Sequence, residues 1–244
     1  MFAFVDTVST DLLQPQLLSI GLVSLDGKEF YAELDLGTEP GRQRRREASG
    51  FVRHGGVLDM WGRIPGAAGT EWELGRRAGE WLLALAGESD EKLEVAFDYP
   101  VDYELMEYAI RDAGLWDLVR ENLSPINVNL VTGNINGELA AEACYRALSS
   151  RSIGRHYALA DALSLRAAYQ SVKDVAVRMA RLERSGDFQR LRASTSLGEA
   201  WLRGWLVREQ IALDQRRPLD VLDERDGVER LVTLLQQIEF GVYL

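Results

Sequence analysis

The chain is short of the residues that build disulfide frameworks, membrane spans and basic surfaces. It has one cysteine, Cys144, so no intramolecular disulfide can form. That cysteine lies in ELAAEACYRALSS, where apolar residues recur at helical spacing, and is expected to act as a small buried hydrophobe. No apolar run approaches the roughly 18 residues that cross a bilayer, and the first residues lack a basic stretch followed by an apolar segment and a small-residue cleavage site. The expectation is a globular, cytoplasmic chain that does not enter a membrane. Positive charge is also scarce, with 38 acidic against 28 basic residues and a net charge of −10. The acidic excess lies before residue 171, because residues 171–244 carry 12 of each sign. Such a front part argues against tight nucleic-acid binding by charge alone. It is compatible with a metal site, where clustered carboxylates are required and bound cations reverse the local sign.

At 244 residues and 46% hydrophobic content the chain can bury a sizeable core. The opening stretch, FAFVDTVSTDLLQPQLLSIGLVSLDGKEFYAEL, predicts three antiparallel strands, at residues 2–6, about 17–24 and 28–34, the last two joined by a two-residue Asp-Gly hairpin turn. GTEPGRQRRREASG has no periodicity and reads as a loop, its Arg42, Arg44, Arg45 and Arg46 solvated or placed beside a nucleic-acid backbone. TEWELGRRAGEWLLALAGES predicts a helix ended by Gly87, KLEVAFDYP a strand, and VDYELMEYAIRDAG a helix closed by Gly114. SPINVNLV reads as extended, GELAAEACYRALSS as a helix, and residues 157–186 as one long helix or two in series. Strands first, then strand and helix in alternation, imply an α/β domain with a mixed sheet. After Gly186 only helical periodicity remains, so a boundary is expected between about 171 and 190, with domains over 1–175 and 188–244.

Three aspartates stand at the ends of predicted elements: Asp6 after the first apolar run, Asp102 at a helix start and Asp161 in RHYALADALSLRAAY. Each alone is an ordinary strand-end or helix-start carboxylate. Their order, VDT, then FDYPVDYELM, then HYALAD, resembles the DEDD superfamily of 3′–5′ exonucleases, in the subgroup with a histidine five residues before the last aspartate, here His156. The resemblance covers residues 2 to 170 and implies an RNase H-like mixed sheet flanked by helices. It further implies a site for two Mg²⁺ or Mn²⁺ ions held by Asp6, Asp102 and Asp161, with His156 as general base. Asp98, at the end of the preceding strand, is the alternative middle ligand. In the family's first motif, Asp-x-Glu, strand alternation points both carboxylates into the site. This chain has Val8 where that pattern has glutamate, and a branched alkyl group coordinates no cation. Tyr99, Tyr103 and Tyr157 stand close enough in sequence to stack a terminal base or to pack the core. His54, in FVRHGG, fits no pattern.

The tail resembles the C-terminal toxin-binding domain of Xre/MbcA/ParS-type antitoxins. The residues that carry the likeness are EAWLRGWL, the run Arg217-Pro218-Leu219-Asp220-Val221-Leu222, and the ending from Ile238 to Tyr243. Leu231, Leu234, Leu235 and Ile238 recur at helical spacing and must bury against the chain or a partner. The helix-turn-helix part of those antitoxins has no counterpart here. Two functions follow as expectations. One is a metal-dependent exonuclease acting on the 3′ end of RNA or single-stranded DNA, attenuated at Val8. The other is an inactive exonuclease-fold binding module of a toxin–antitoxin or regulatory assembly, meeting a toxin-like partner through residues 188–244 or forming a homo-oligomer.

Overall fold

The computed structural model describes residues 1–241, apart from the side chains of residues 176, 177 and 180. The chain divides into two compact units, Met1–Tyr169 and Gln170–Leu244. The first is a mixed α/β unit built on a six-stranded sheet; the second is helical.

Three strands open the sheet: β1 (Phe2–Ser9), β2 (Leu17–Ser24) and β3 (Glu29–Leu34), paired antiparallel. The β2–β3 turn differs from the expected two-residue form. The Gly27 N–H closes a turn on the Ser24 carbonyl at 3.0 Å, and Gly27 alone takes the left-handed conformation, φ +98°, so the loop has three residues. The segment after β3 is a helix rather than a loop, α1 (Glu39–Glu47). Its start was written in Thr38, which caps the helix, and in the proline of its first turn. Only Gly41 of its residues is buried, so no apolar period marks it.

A short helix, α2 (Gly50–His54), and a two-residue strand, β4 (Ala68–Gly69), lead to α3 (Glu71–Ala86). Thr70 and Glu73 cap α3 reciprocally, and Leu74, Ala78, Leu82 and Leu85 give it a buried stripe. There follow β5 (Leu93–Phe97), α4 (Pro100–Asp112), α5 (Trp116–Val119), β6 (Leu123–Asn127), α6 (Asn129–Thr132), α7 (Ile135–Leu148) and α8 (Ala158–Glu183). The strand order is β4-β3-β2-β1-β5-β6, with β5 parallel to β1 and β6 parallel to β5.

Alternation along β1 sends Ala3 and Val5 into the apolar layer shared with α3 and α4, and Phe4 and Val8 into the layer shared with the start of α8. Helix α8 lies against bare backbone at Gly21, where a Cβ would sit 2.3 Å from the Ala158 carbonyl carbon. Gly21 is the ladder partner of Asp6, so this close approach brings the first turn of α8 beside the end of β1.

In the second unit, α9 (Gly186–Ala193), α10 (Glu199–Leu206), α11 (Pro218–Val221) and α12 (Gly227–Glu239) enclose a core that includes Phe188, Leu191, Leu202, Trp205, Leu231 and Leu235. Among the described residues no helix is long and apolar enough to cross a membrane.

Candidate functional site

The C-terminal ends of β1 and β5 open on a cavity of about 660 Å³, in the position where parallel strands of α/β sheets usually bind ligands. Asp6, Asp98, Asp102, Asp161 and His156 all line it, and so does Val8. Asp6 and Val8 share the face of β1 toward α8, and Thr7 faces the other way. Asp102, 7% exposed in the first turn of α4, does not cap its helix. Its Oδ1 accepts the Thr7 N–H at 3.1 Å and the Thr7 hydroxyl at 2.7 Å, which ties α4 to β1 and fixes the carboxylate. Asp98 follows β5 directly, and Asp6, Asp98 and Asp102 each present an oxygen within 4.8 Å of the other two. The two candidates for the middle position therefore stand together. Asp161 lies outside that group of three. Its carboxylate accepts the Tyr145 hydroxyl at 2.6 Å, and Tyr145 in turn accepts the Ser164 hydroxyl at 2.8 Å. His156 precedes α8 with φ +64°, an uncommon conformation for a side chain with a Cβ, and meets the Phe51 ring edge-on at 4.9 Å.

Burial dominates the electrostatics, with repulsion among the carboxylates adding to it. Asp6 is held well above the usual carboxylate range, first by burial and then by Asp161, Asp102 and Asp98. Asp102 is pushed up to about 6, by burial against the opposing pull of its Thr7 hydrogen bonds. Asp161 is pushed up to about 7, by burial against hydrogen bonds from Tyr145 and the His156 backbone. Among the described residues no lysine or arginine lines the cavity. A set of hard carboxylate oxygens without a counter-charge has the chemistry of a divalent-cation site, and Asp6, Asp98 and Asp102 fit one such ion. Position 8 adds no oxygen.

The other candidates fall elsewhere. Tyr99 lines the cavity, whereas Tyr103 packs against Phe97 and Trp116, and Tyr157 is buried in a stack on Tyr31. Arg42 and Arg46 pair with Glu39, Arg44 pairs with Glu71, and Arg45 lines a separate cleft. His54 ends α2 and is not among the lining residues. Cys144 is half-buried, and burial raises its thiol pKa, so it stays protonated. Thr7, Phe51 and Tyr145 escaped sequence reasoning. Thr7 meets a carboxylate 95 positions away, and no local pattern signals that contact.

In the second unit the tail's characteristic residues hold one another. Asp220 accepts Arg217 at 2.7 Å and Arg178 at 2.7 Å, and Arg178 also reaches the Leu219 carbonyl and Asp223, each at 2.7 Å. Pro218 opens α11. Glu239 accepts the Ser196 N–H at 3.0 Å and both the Ser196 and Thr195 hydroxyls, clamping the turn before α10 to the end of α12. Trp201 and Trp205 stack at 6.0 Å. Of the final Ile238-to-Tyr243 run, residues 242 and 243 lie outside the described residues.

Residues 194–241 match the family model of the antitoxin Xre/MbcA/ParS C-terminal toxin-binding domain. No curated protein matches the chain. The match covers α10 to α12 and the turn before them.

Proposed function

We propose that the chain is a binding component of a toxin–antitoxin or related regulatory assembly, in which the C-terminal unit receives a protein partner of the toxin class. The observation that carries this reading is the match over residues 194–241. The ion pairs of Asp220 and the clamp at Glu239 support it, because they hold the matched segment as a rigid scaffold before any partner arrives. The first unit is an exonuclease-like body whose acidic cavity takes a divalent cation on Asp6, Asp98 and Asp102, and whose ligand set is short by one at Val8. The test is capture of the partner from the cells of origin on the tagged full chain, followed by co-expression. A captured protein that halts growth alone and is silenced by this chain supports the reading; a chain that captures no protein overturns it.

A second reading, hydrolysis at the 3′ end of RNA or single-stranded DNA, is favoured by one observation: Asp6, Asp102, Asp161 and His156 line a single cavity. A bound Mg²⁺ or Mn²⁺ would supply charge for the phosphate and acidify water. The chain's own contribution is to orient Asp102 through Thr7, to orient Asp161 through Tyr145, and to accept a proton at the His156 imidazole. Shortening of a 3′-labelled oligonucleotide in Mn²⁺ but not in EDTA, lost in His156→Ala, is its test.

A further inference from the structure

Helix α12 has two working faces. Gly227, Leu231 and Leu235 are buried in the core of the second unit. Arg230, Thr233, Leu234, Gln237 and Ile238, at positions i, i+3, i+4, i+7 and i+8, line a groove of about 850 Å³, with Leu234 and Ile238 half-buried between that groove and the core. That stripe runs about 12 Å along the helix, the length of two turns. The opposite wall is the segment 209–213.

The wall is built to hold one side chain out. Gln210 and Arg216 close a turn through a bridge, with the Gln210 N–H on the Arg216 carbonyl at 3.1 Å. Two consecutive residues other than glycine, Asp214 and Gln215, take left-handed φ values of +57° and +59° to complete it. Such conformations cost energy and persist where the surroundings enforce them. Leu213 anchors the turn in the core at 2% exposure, while Ile211 stands on the groove's rim at 91% exposure.

All ten lining residues lie inside the segment that matches the toxin-binding domain. Within that segment Asp220 and Glu239 are already engaged by the chain's own groups. Arg230 is held by Glu224 at 3.1 Å. Glu209, exposed on the rim, has no ion pair among the described residues. The floor is otherwise uncharged, with no cluster of polar groups converging as they do in a small-molecule site.

We infer that this groove is where the second unit receives its protein partner, and that the occupant is a non-polar segment of the partner carrying a lysine or arginine opposite Glu209. The inference rests on the partner-binding reading above. An amphipathic segment laid in such a groove buries apolar anchors against Leu234, Ile238 and Ile211, and the lone carboxylate supplies register more than affinity.

The test uses the partner captured on the wild-type full chain, identified and purified, with its Kd measured by calorimetry against exposed-site variants whose melting curves match the wild type. Ile211→Asp weakens binding by about 30-fold or more, as expected for a buried interface anchor. Glu209→Arg weakens it several-fold and is rescued by reversing one basic residue of the partner. Phe240→Asp, at a 79% exposed position that lines a different concavity of the same unit, leaves Kd within about twofold. An unchanged Kd for Ile211→Asp, or an equal loss for Phe240→Asp, overturns the placement while leaving partner binding intact. A wild-type chain that captures nothing overturns the partner-binding reading itself.

Discussion

Asp6 and Val8 stand on the same face of β1 and line the same cavity, one presenting a carboxylate and the other an isopropyl group. Val8 is 7% exposed and belongs to the apolar layer under α8, so the site's edge at this point is continuous with the core.

Val8→Glu tests what that edge can accept. Without metal, a carboxylate there is desolvated beside Asp6 and costs a few kcal/mol or stays protonated. With Mn²⁺ it is expected to join Asp6, Asp98 and Asp102 as a fourth carboxylate in the proposed ligand set. The expected result is a melting temperature below wild type in EDTA and a larger rise on adding Mn²⁺. A variant that melts lower and gains nothing from Mn²⁺ shows that position 8 is core alone.

The acidic cavity also sets a pH dependence. Asp102 and Asp161 titrate at about 6 and about 7 in the folded chain, above their ordinary value of 3.8, and Asp6 is raised in the same direction. The folded state therefore binds more protons than the unfolded one between about pH 4 and pH 7. Stability from these groups is present below pH 4 and falls as pH rises, that of Asp102 and Asp161 being lost as pH passes their raised values and Asp6 adding a loss in the same direction. Asp102 alone contributes about 3 kcal/mol to the loss, at 1.36 kcal/mol per pH unit of separation. Urea denaturation in EDTA should show this decline for the first unit, reduced in Asp102→Asn. Mn²⁺ should restore stability near pH 7, because cation binding favours the ionised carboxylates and releases their protons.

Asp220, held between Arg178 and Arg217, is the joint of the second unit. Asp220→Ala leaves both guanidinium groups without that partner, and a partly exposed, hydrogen-bonded pair of this kind is worth roughly 1–3 kcal/mol. Calorimetry should show the second unit melting earlier, with the first unaffected. An unchanged melting temperature of the second unit in the variant would mean that the pairs carry no stability.

β1, β2, β3 and β5 were legible as short apolar runs, and α3 and α4 because each buries a stripe with a period that the sequence displays, whereas the two-residue β4 carries no such signal. Helix α1 was not legible, since its residues are almost all exposed and its only signals are a threonine cap and a proline. Asp6, Asp102, Asp161 and His156 could be picked from their order along the chain, and the structure places them around one cavity. The grouping of Asp98 with Asp6 and Asp102 could not, because it depends on how tightly β5 turns into α4. Thr7 and Tyr145 act across helices and strands, at separations no local window spans. In the tail, the motif residues were visible in sequence, yet the structure gives them scaffold roles, and Ile211 drew no notice because a single exposed isoleucine has no period.

The central claim, that the protein works through partner binding by its second unit, is tested most directly by growth rescue with a crippled first unit. The captured partner is expressed alone, with the wild-type chain, and with a chain carrying Asp6→Asn, Asp102→Asn and Asp161→Asn together. Restored growth with both chains is the predicted result. Rescue by the wild-type chain and failure of a folded triple variant would place the function in the acidic cavity and contradict the account.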